Sequence, residues 1–170
     1  MKRVAVTGLG VISPVGNDVP TFWNALCSGT CGIGPITKFD ATDYPVKLAA
    51  EVRDFDPRQY MEKLDILHSD VYTHFAMAAA CQAVADSGIA GTLDAERVGV
   101  YIGSGIGGIA TFMTEHSKLL NRGPRRVSPY FIPMMIPNMA SSMIAMRNHF
   151  HGPAMPMVTA CASGTNAIGE

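Results

Sequence analysis

Met155-Pro156-Met157-Val158-Thr159-Ala160-Cys161-Ala162-Ser163-Gly164 is the stretch on which the reading of this chain turns. Met155 to Thr159 is a short apolar run that reads as a strand. From Cys161 to Gly169 small and polar residues open a helix. A thiol at such a junction lies beside unpaired backbone N–H groups and the positive end of a helix dipole, both of which favour thiolate. The same N–H groups can hold a developing oxyanion, as at a nucleophile elbow. From position alone two readings stand for Cys161: an activated nucleophile, or a small apolar side chain in the core. Cys27, Cys31 and Cys81 read as core or loop residues.

Working outward, Arg3 to Thr7 reads as a buried strand ending in Gly8-Leu9-Gly10, and Thr21 to Ser28 as a helix stopped by Gly29. Residues 31–57 are irregular, with a short strand at Val46 to Val52. Asp70 to Ser87 is the clearest helix, with an acidic start, an alanine-rich body and Gly88 beyond its end. Arg97 to Ile102 is a second buried strand, Ile109 to Leu120 a helix, Pro124 to Pro137 a loop, and Asn138 to Asn148 a helix. Strands alternating with helices predict an α/β layered fold with a parallel or mixed sheet. The sequence reads as one domain over residues 1–170 that stops two turns into its last helix, the pattern expected of part of a longer protein.

Composition narrows the function classes. The 170 residues are 48% apolar and 16% charged, enough for a core without disulfides. A net charge of −1 predicts neither a nucleic-acid partner nor an anionic membrane surface. No apolar run approaches a membrane span, and Gly8, Gly10, Pro14 and Gly16 interrupt what might pass for a signal peptide. The four cysteines match no redox or zinc spacing, and the five histidines no metal-ligand spacing. The expectation is a cytoplasmic protein with free thiols and no metal.

Gly103-Ser104-Gly105-Ile106-Gly107-Gly108 is a literal GxGxxG between a strand and a helix. The acidic strand end that a dinucleotide site needs about twenty residues later is missing, so the glycines read as letting backbone pass close to a pocket or another chain. Arg122, Arg125 and Arg126 form a basic cluster that is either a solvated turn or a docking point for an acidic partner.

Taken in order, several stretches resemble the condensing-enzyme family, and most of all its type II β-ketoacyl-ACP synthases. They are Val4 to Gly10 with Pro14-Val15-Gly16, Phe22-Trp23, Phe55-Asp56-Pro57, and Val98 to Gly108. Gly123 to Phe131, Asn138-Met139, Gly152-Pro153 and Thr159 to Gly164 complete the series. The resemblance implies a thiolase-like fold layered α-β-α-β-α, of which this chain covers most of the N-terminal half, and a homodimer. It implies that Cys161 takes an acyl chain from acyl carrier protein as a thioester, which a carbanion from malonyl-ACP then attacks. No cofactor is implied, since phosphopantetheine arrives on the carrier protein. Ile106 matches a position lining the acyl pocket, Phe131, Ile132 and Ala160 lie in stretches that contribute to that pocket or the dimer contact, and Arg125 and Arg126 match basic residues that meet the carrier protein. The neighbouring readings are a ketosynthase of a type II polyketide system and a non-catalytic dimer-forming fragment.

Three departures from the family pattern carry expectations of their own. The two histidines that serve decarboxylation in the family are not among the five here, so these 170 residues alone are expected not to complete condensation. Residues 63–68 keep little of the basic charge that the family often carries before Asp70. Pro156 falls inside the strand leading to Cys161, where it would remove a ladder N–H.

Overall fold

The computed structural model describes residues 3–170. In chain order its elements are α1 (Val19–Cys27), β1 (Ile33–Pro35), β2 (Leu48–Ala50), α2 (Lys63–Leu67), α3 (Val71–Ser87), β3 (Val100–Gly103) and α4 (Ile109–Arg122). They continue with α5 (Phe131–Met135), α6 (Met139–Asn148), β4 (Ala154–Met157) and α7 (Ser163–Gly169). Short 3-10 turns lie at 57–59, 95–97, 124–126 and 160–162. The helix ends follow local chemistry. Asp18 accepts from Thr21 N–H at 2.7 Å to start α1, with Pro20 in its first turn. Asp70 caps α3, and Gly88, at φ 64°, ends it in the left-handed region.

The α/β class is as expected, but the strands fall into two pairs rather than one sheet. β1 and β2 form an antiparallel pair, Ile33 opposite Ala50. β3 and β4 run parallel, from Val100 opposite Ala154 to Gly103 opposite Met157. Pro156 costs this ladder nothing. The bonds to β3 use the carbonyls of Pro153 (from Val100 N–H, 2.7 Å) and Met157 (from Ser104 N–H, 3.1 Å). Both have the opposite parity to residue 156, so the nitrogen of Pro156 faces away from β3. The core lies where α3 and α6 meet these strands, around Met61, Met77, Val100, Ile144 and Ala145.

Two further expectations are corrected. Arg3 to Thr7 is not a buried strand: it has no strand assignment, and Val4 and Val6 are 94% and 79% exposed. A strand exists only against a second backbone, and none lies beside it among the described residues. Side chains of α3 dock the segment that follows instead. Asp86 accepts from Leu9 N–H at 2.9 Å, and Gln82 from Val11 N–H at 3.0 Å. Residues 124–137 are also not wholly loop, because α5 forms there. Pro133 is tolerated in its first turn, where its missing N–H has no intrahelical partner to lose.

The chain exposes 11517 Å², whereas a folded monomer of its mass exposes roughly 8000 Å². Apolar side chains account for part of the excess, including Trp23, Leu120 and Ile168 at 62, 70 and 89% exposure.

Buried His74 gives the fold a pH-dependent contribution. His74 on α3 shares its Nε2–H between Ile66 C=O (3.2 Å) and Ser69 Oγ (3.1 Å). The single proton of Ser69 goes to the Asp65 carbonyl, so the imidazole is the donor. Burial holds the His74 pKa below the usual imidazole value, partly offset by the Ile66 bond and nearby Asp70. The unfolded chain therefore binds the extra proton first, and stability falls as pH drops from the unfolded imidazole pKa toward the folded one. Melting temperatures across that interval are expected to decline, and His74→Gln to flatten the decline. An identical slope in the variant would exclude His74 as its source.

Candidate active site

Beyond β4 the chain turns at Ala160, whose φ of 51° is left-handed. An alanine there costs about 1–2 kcal/mol, having no polar side chain to compensate. Cys161 follows on the 3-10 turn and is exposed. The turn is tied from within. Ala162 N–H donates to Thr159 C=O at 3.1 Å. Ser163 Oγ accepts from Thr159 N–H at 2.9 Å and donates to Ala160 C=O at 2.7 Å. Asn166 Nδ2 donates to Thr159 Oγ1 at 2.8 Å.

The glycine-rich loop is explained by close packing within the chain. A Cβ on Gly103 would come within 2.4 Å of the Ser163 backbone at the start of α7. Gly105 faces Ala160, at 3.5 Å from the Ala160 carbonyl by the same measure. Gly107, at φ 78°, and Gly108 would strike the carbonyls of Met135 and Met134 at 2.5 and 2.4 Å. Gly108 N–H also donates to Met135 C=O at 2.8 Å. One loop thus joins the Cys161 turn to the end of α5, with Ile106 at its centre. Phe131 on α5 packs against Phe112 of α4, with ring centroids 6.2 Å apart. Phe131 is half-buried, while Ile106 and Ile132 are exposed. An open groove of 810 Å³ runs between residues 8–12, α3, β3 and α7, with apolar walls that include Phe75 and Ile168.

Arg125 and Arg126 lie elsewhere, exposed on the turn after α4. Glu115, buried on α4, accepts from Lys118 Nζ (2.6 Å) and Ser128 N–H (2.7 Å), which fastens this loop down. The Lys118 ammonium and then the Ser128 N–H hold the Glu115 pKa below the usual carboxylate value. Among the described residues neither arginine forms an ion pair. His68, just after α2, stacks on Tyr130 at 3.7 Å between ring centroids, which brings residues 63–68 to the arginine loop. His149 ends α6 in the left-handed region, and His151 pairs with Glu96 at 3.1 Å, so both sit at the far end of β4 from Cys161.

Sequence reasoning missed two supports of this site. Asp70 caps α3 and also accepts from Thr111 N–H (2.8 Å) and Oγ1 (2.6 Å), so it caps α4, whose own N-cap is Gly108. The acidic start of α3 was legible, but its second duty spans 41 residues of sequence. The left-handed Ala160 carries no sequence signal.

A strand–turn–helix with a strained residue before an exposed cysteine, buttressed by a glycine loop, resembles the strand-to-helix turn of a nucleophile elbow. The family model described as the beta-ketoacyl synthase N-terminal domain matches residues 1–170. The chain belongs to the β-ketoacyl synthase family. It is 48% identical over 170 residues to 3-oxoacyl-(acyl-carrier-protein) synthase 2 of Coxiella burnetii. To the proteins of the same name in Synechocystis sp. and Staphylococcus aureus it is 46% and 45% identical. Each match covers 99% of this chain and 41% of the relative, so the chain spans about two fifths of the length of the curated relatives it matches.

Solved ketosynthases share its fold, which is thiolase-like. The ishigamide ketosynthase/chain length factor superposes with a TM-score of 0.81 at 28% identity, over 95% of this chain and 41% of that one. A type II PKS acyl-carrier protein in complex with its ketosynthase bound to the hexaketide gives 0.83 at 25% identity, over 99% and 45%. Among the described residues no helix is long and apolar enough to cross a membrane.

Proposed function

We propose that this chain supplies the nucleophile of an elongating β-ketoacyl-ACP synthase of type II fatty-acid synthesis, acting in the cytoplasm as a homodimer. The observation that carries the reading is Cys161 standing exposed on the turn between β4 and α7, with Ala160 strained beside it. The Cys161 sulfur attacks the thioester carbonyl of acyl-ACP. The acyl–cysteine thioester forms, the bond to phosphopantetheine breaks, and the thiol proton ends on the departing sulfur. Malonyl-ACP then loses CO₂, the carbanion attacks the acyl–cysteine carbonyl, the acyl C–S bond breaks, and the Cys161 thiolate leaves as β-ketoacyl-ACP forms. The histidines that the family resemblance assigns to this second half are not among those of these 170 residues.

Placement supports the remaining roles. Ile106 lies at the centre of the loop that joins the Cys161 turn to α5, which supports Ile106 in the acyl pocket and Ala160, Phe131 and Ile132 in that pocket or the dimer contact beside it. Arg125 and Arg126 are exposed and, among the described residues, form no ion pair, which suits docking to an acidic carrier protein. The polyketide reading is less favoured, since relatives named 3-oxoacyl-ACP synthase 2 are 45–48% identical and the polyketide ketosynthase 25%. An intact nucleophile argues against the non-catalytic reading.

Cerulenin, which alkylates the cysteine of this family, tests the proposal on the purified chain by intact mass. One adduct is expected, and Cys161→Ala is expected to abolish it. No adduct on a chain whose circular dichroism shows it folded, or an adduct that survives in Cys161→Ala, would overturn the assignment.

A further inference from the structure

Ser163 performs no chemistry in the proposed reaction, yet it is only 3% exposed on a turn whose neighbours are exposed. Its hydroxyl bonds two groups, Thr159 N–H and Ala160 C=O, and these flank Ala160 on either side. Ala160 C=O also receives the backbone N–H of Ser163. Ala160 is the residue with φ at 51°, and of the three non-glycine residues at positive φ among the described residues it alone lacks a polar side chain. Relaxing its φ would swing the next residue, Cys161. The same motion would pull Thr159 N–H and Ala160 C=O off the one hydroxyl that binds both. Ser163 is itself fixed, because Gly103 of β3 lies directly on its backbone.

We infer that Ser163 is a positioning residue for Cys161: its hydroxyl holds Ala160 left-handed and so sets the direction of the thiol. The inference rests on Cys161 being the nucleophile. It makes a specific demand. If Ser163 acts through the strain at residue 160, glycine at that position, which adopts φ near +50° freely, must remove the need for the hydroxyl.

Iodoacetamide labelling of the whole chain near neutral pH, read residue by residue by peptide mass, tests it. Exposed Cys27 and Cys31 serve as internal references, and half-buried Cys81 reports unfolding. Ser163→Ala is expected to lower the rate at Cys161 relative to Cys27 by about tenfold or more, the scale of its two lost hydrogen bonds. Adding Ala160→Gly to Ser163→Ala is expected to restore the ratio to within about twofold. A ratio unchanged by Ser163→Ala overturns the inference. So does a double variant that keeps Cys81 protected while Cys161 stays slow. That double variant decides the matter even where Ser163→Ala alone exposes Cys81, because the strain that would loosen it is gone. If Cys161 in the unaltered chain reacts no faster than Cys27 and Cys31, the nucleophile assignment itself falls, and this inference with it.

Discussion

Gly103→Ala is expected to destabilise the chain by about 3 kcal/mol or more. The added Cβ would stand 2.4 Å from the carbonyl carbon and oxygen of Ser163 and 2.5 Å from the Gly164 nitrogen. All three atoms are backbone, so no side-chain rotamer can make room. The end of β3 and the start of α7 must separate, and Cys161 moves with α7. Thermal unfolding is expected to fall by roughly 10 °C, the scale for a chain of this length. Iodoacetamide labelling of Cys161 relative to Cys27 is expected to change in the same sample. Gly164→Ala is the control, since a Cβ there meets nothing within 4 Å, and it should leave melting within about 2 °C. Equal melting of the two variants would mean that β3 and α7 have slack the geometry does not show.

Asp70→Ala has the second large effect, about 3–5 kcal/mol, because one carboxylate serves two helices. Asp70 is 7% exposed and accepts from Tyr72 N–H at 3.3 Å, capping α3. Its other oxygen takes both Thr111 N–H and Thr111 Oγ1, at 2.8 and 2.6 Å, in the first turn of α4. Gly108 cannot cap α4 itself, and its missing Cβ leaves room for Asp70, whose own Cβ would lie 3.0 Å away. Truncation leaves two buried donors on Thr111 without an acceptor and both helices without a cap. Asp70→Asn keeps one carbonyl oxygen and is expected to lose about half as much. Urea unfolding of the two variants measures the difference. A loss below about 1 kcal/mol for Asp70→Ala would show that water replaces the carboxylate.

The chain settled by itself what local chemistry settles. Asp18 and Asp70 cap helices through their own side chains, and Gly88 ends α3 at positive φ. The strand before Cys161 and the helix after it were legible from the run Met155 to Gly169. The glycines at 103–108 were legible as a close approach, because only a residue without Cβ permits one. The family was legible too, from motifs spread along the sequence.

What required the tertiary structure is whatever depends on a partner far along the chain. Arg3 to Thr7 has the composition of a strand but no neighbouring backbone to make it one. Pro156 looked costly until the register put its nitrogen on the side away from β3. Asp70 reaches Thr111 across 41 residues, and Gly103 meets Ser163 across a β–α contact that no periodicity encodes. The left-handed Ala160 is the sharpest case. Alanine has no intrinsic preference for that conformation, so the surrounding contacts alone decide it and, with it, where Cys161 points.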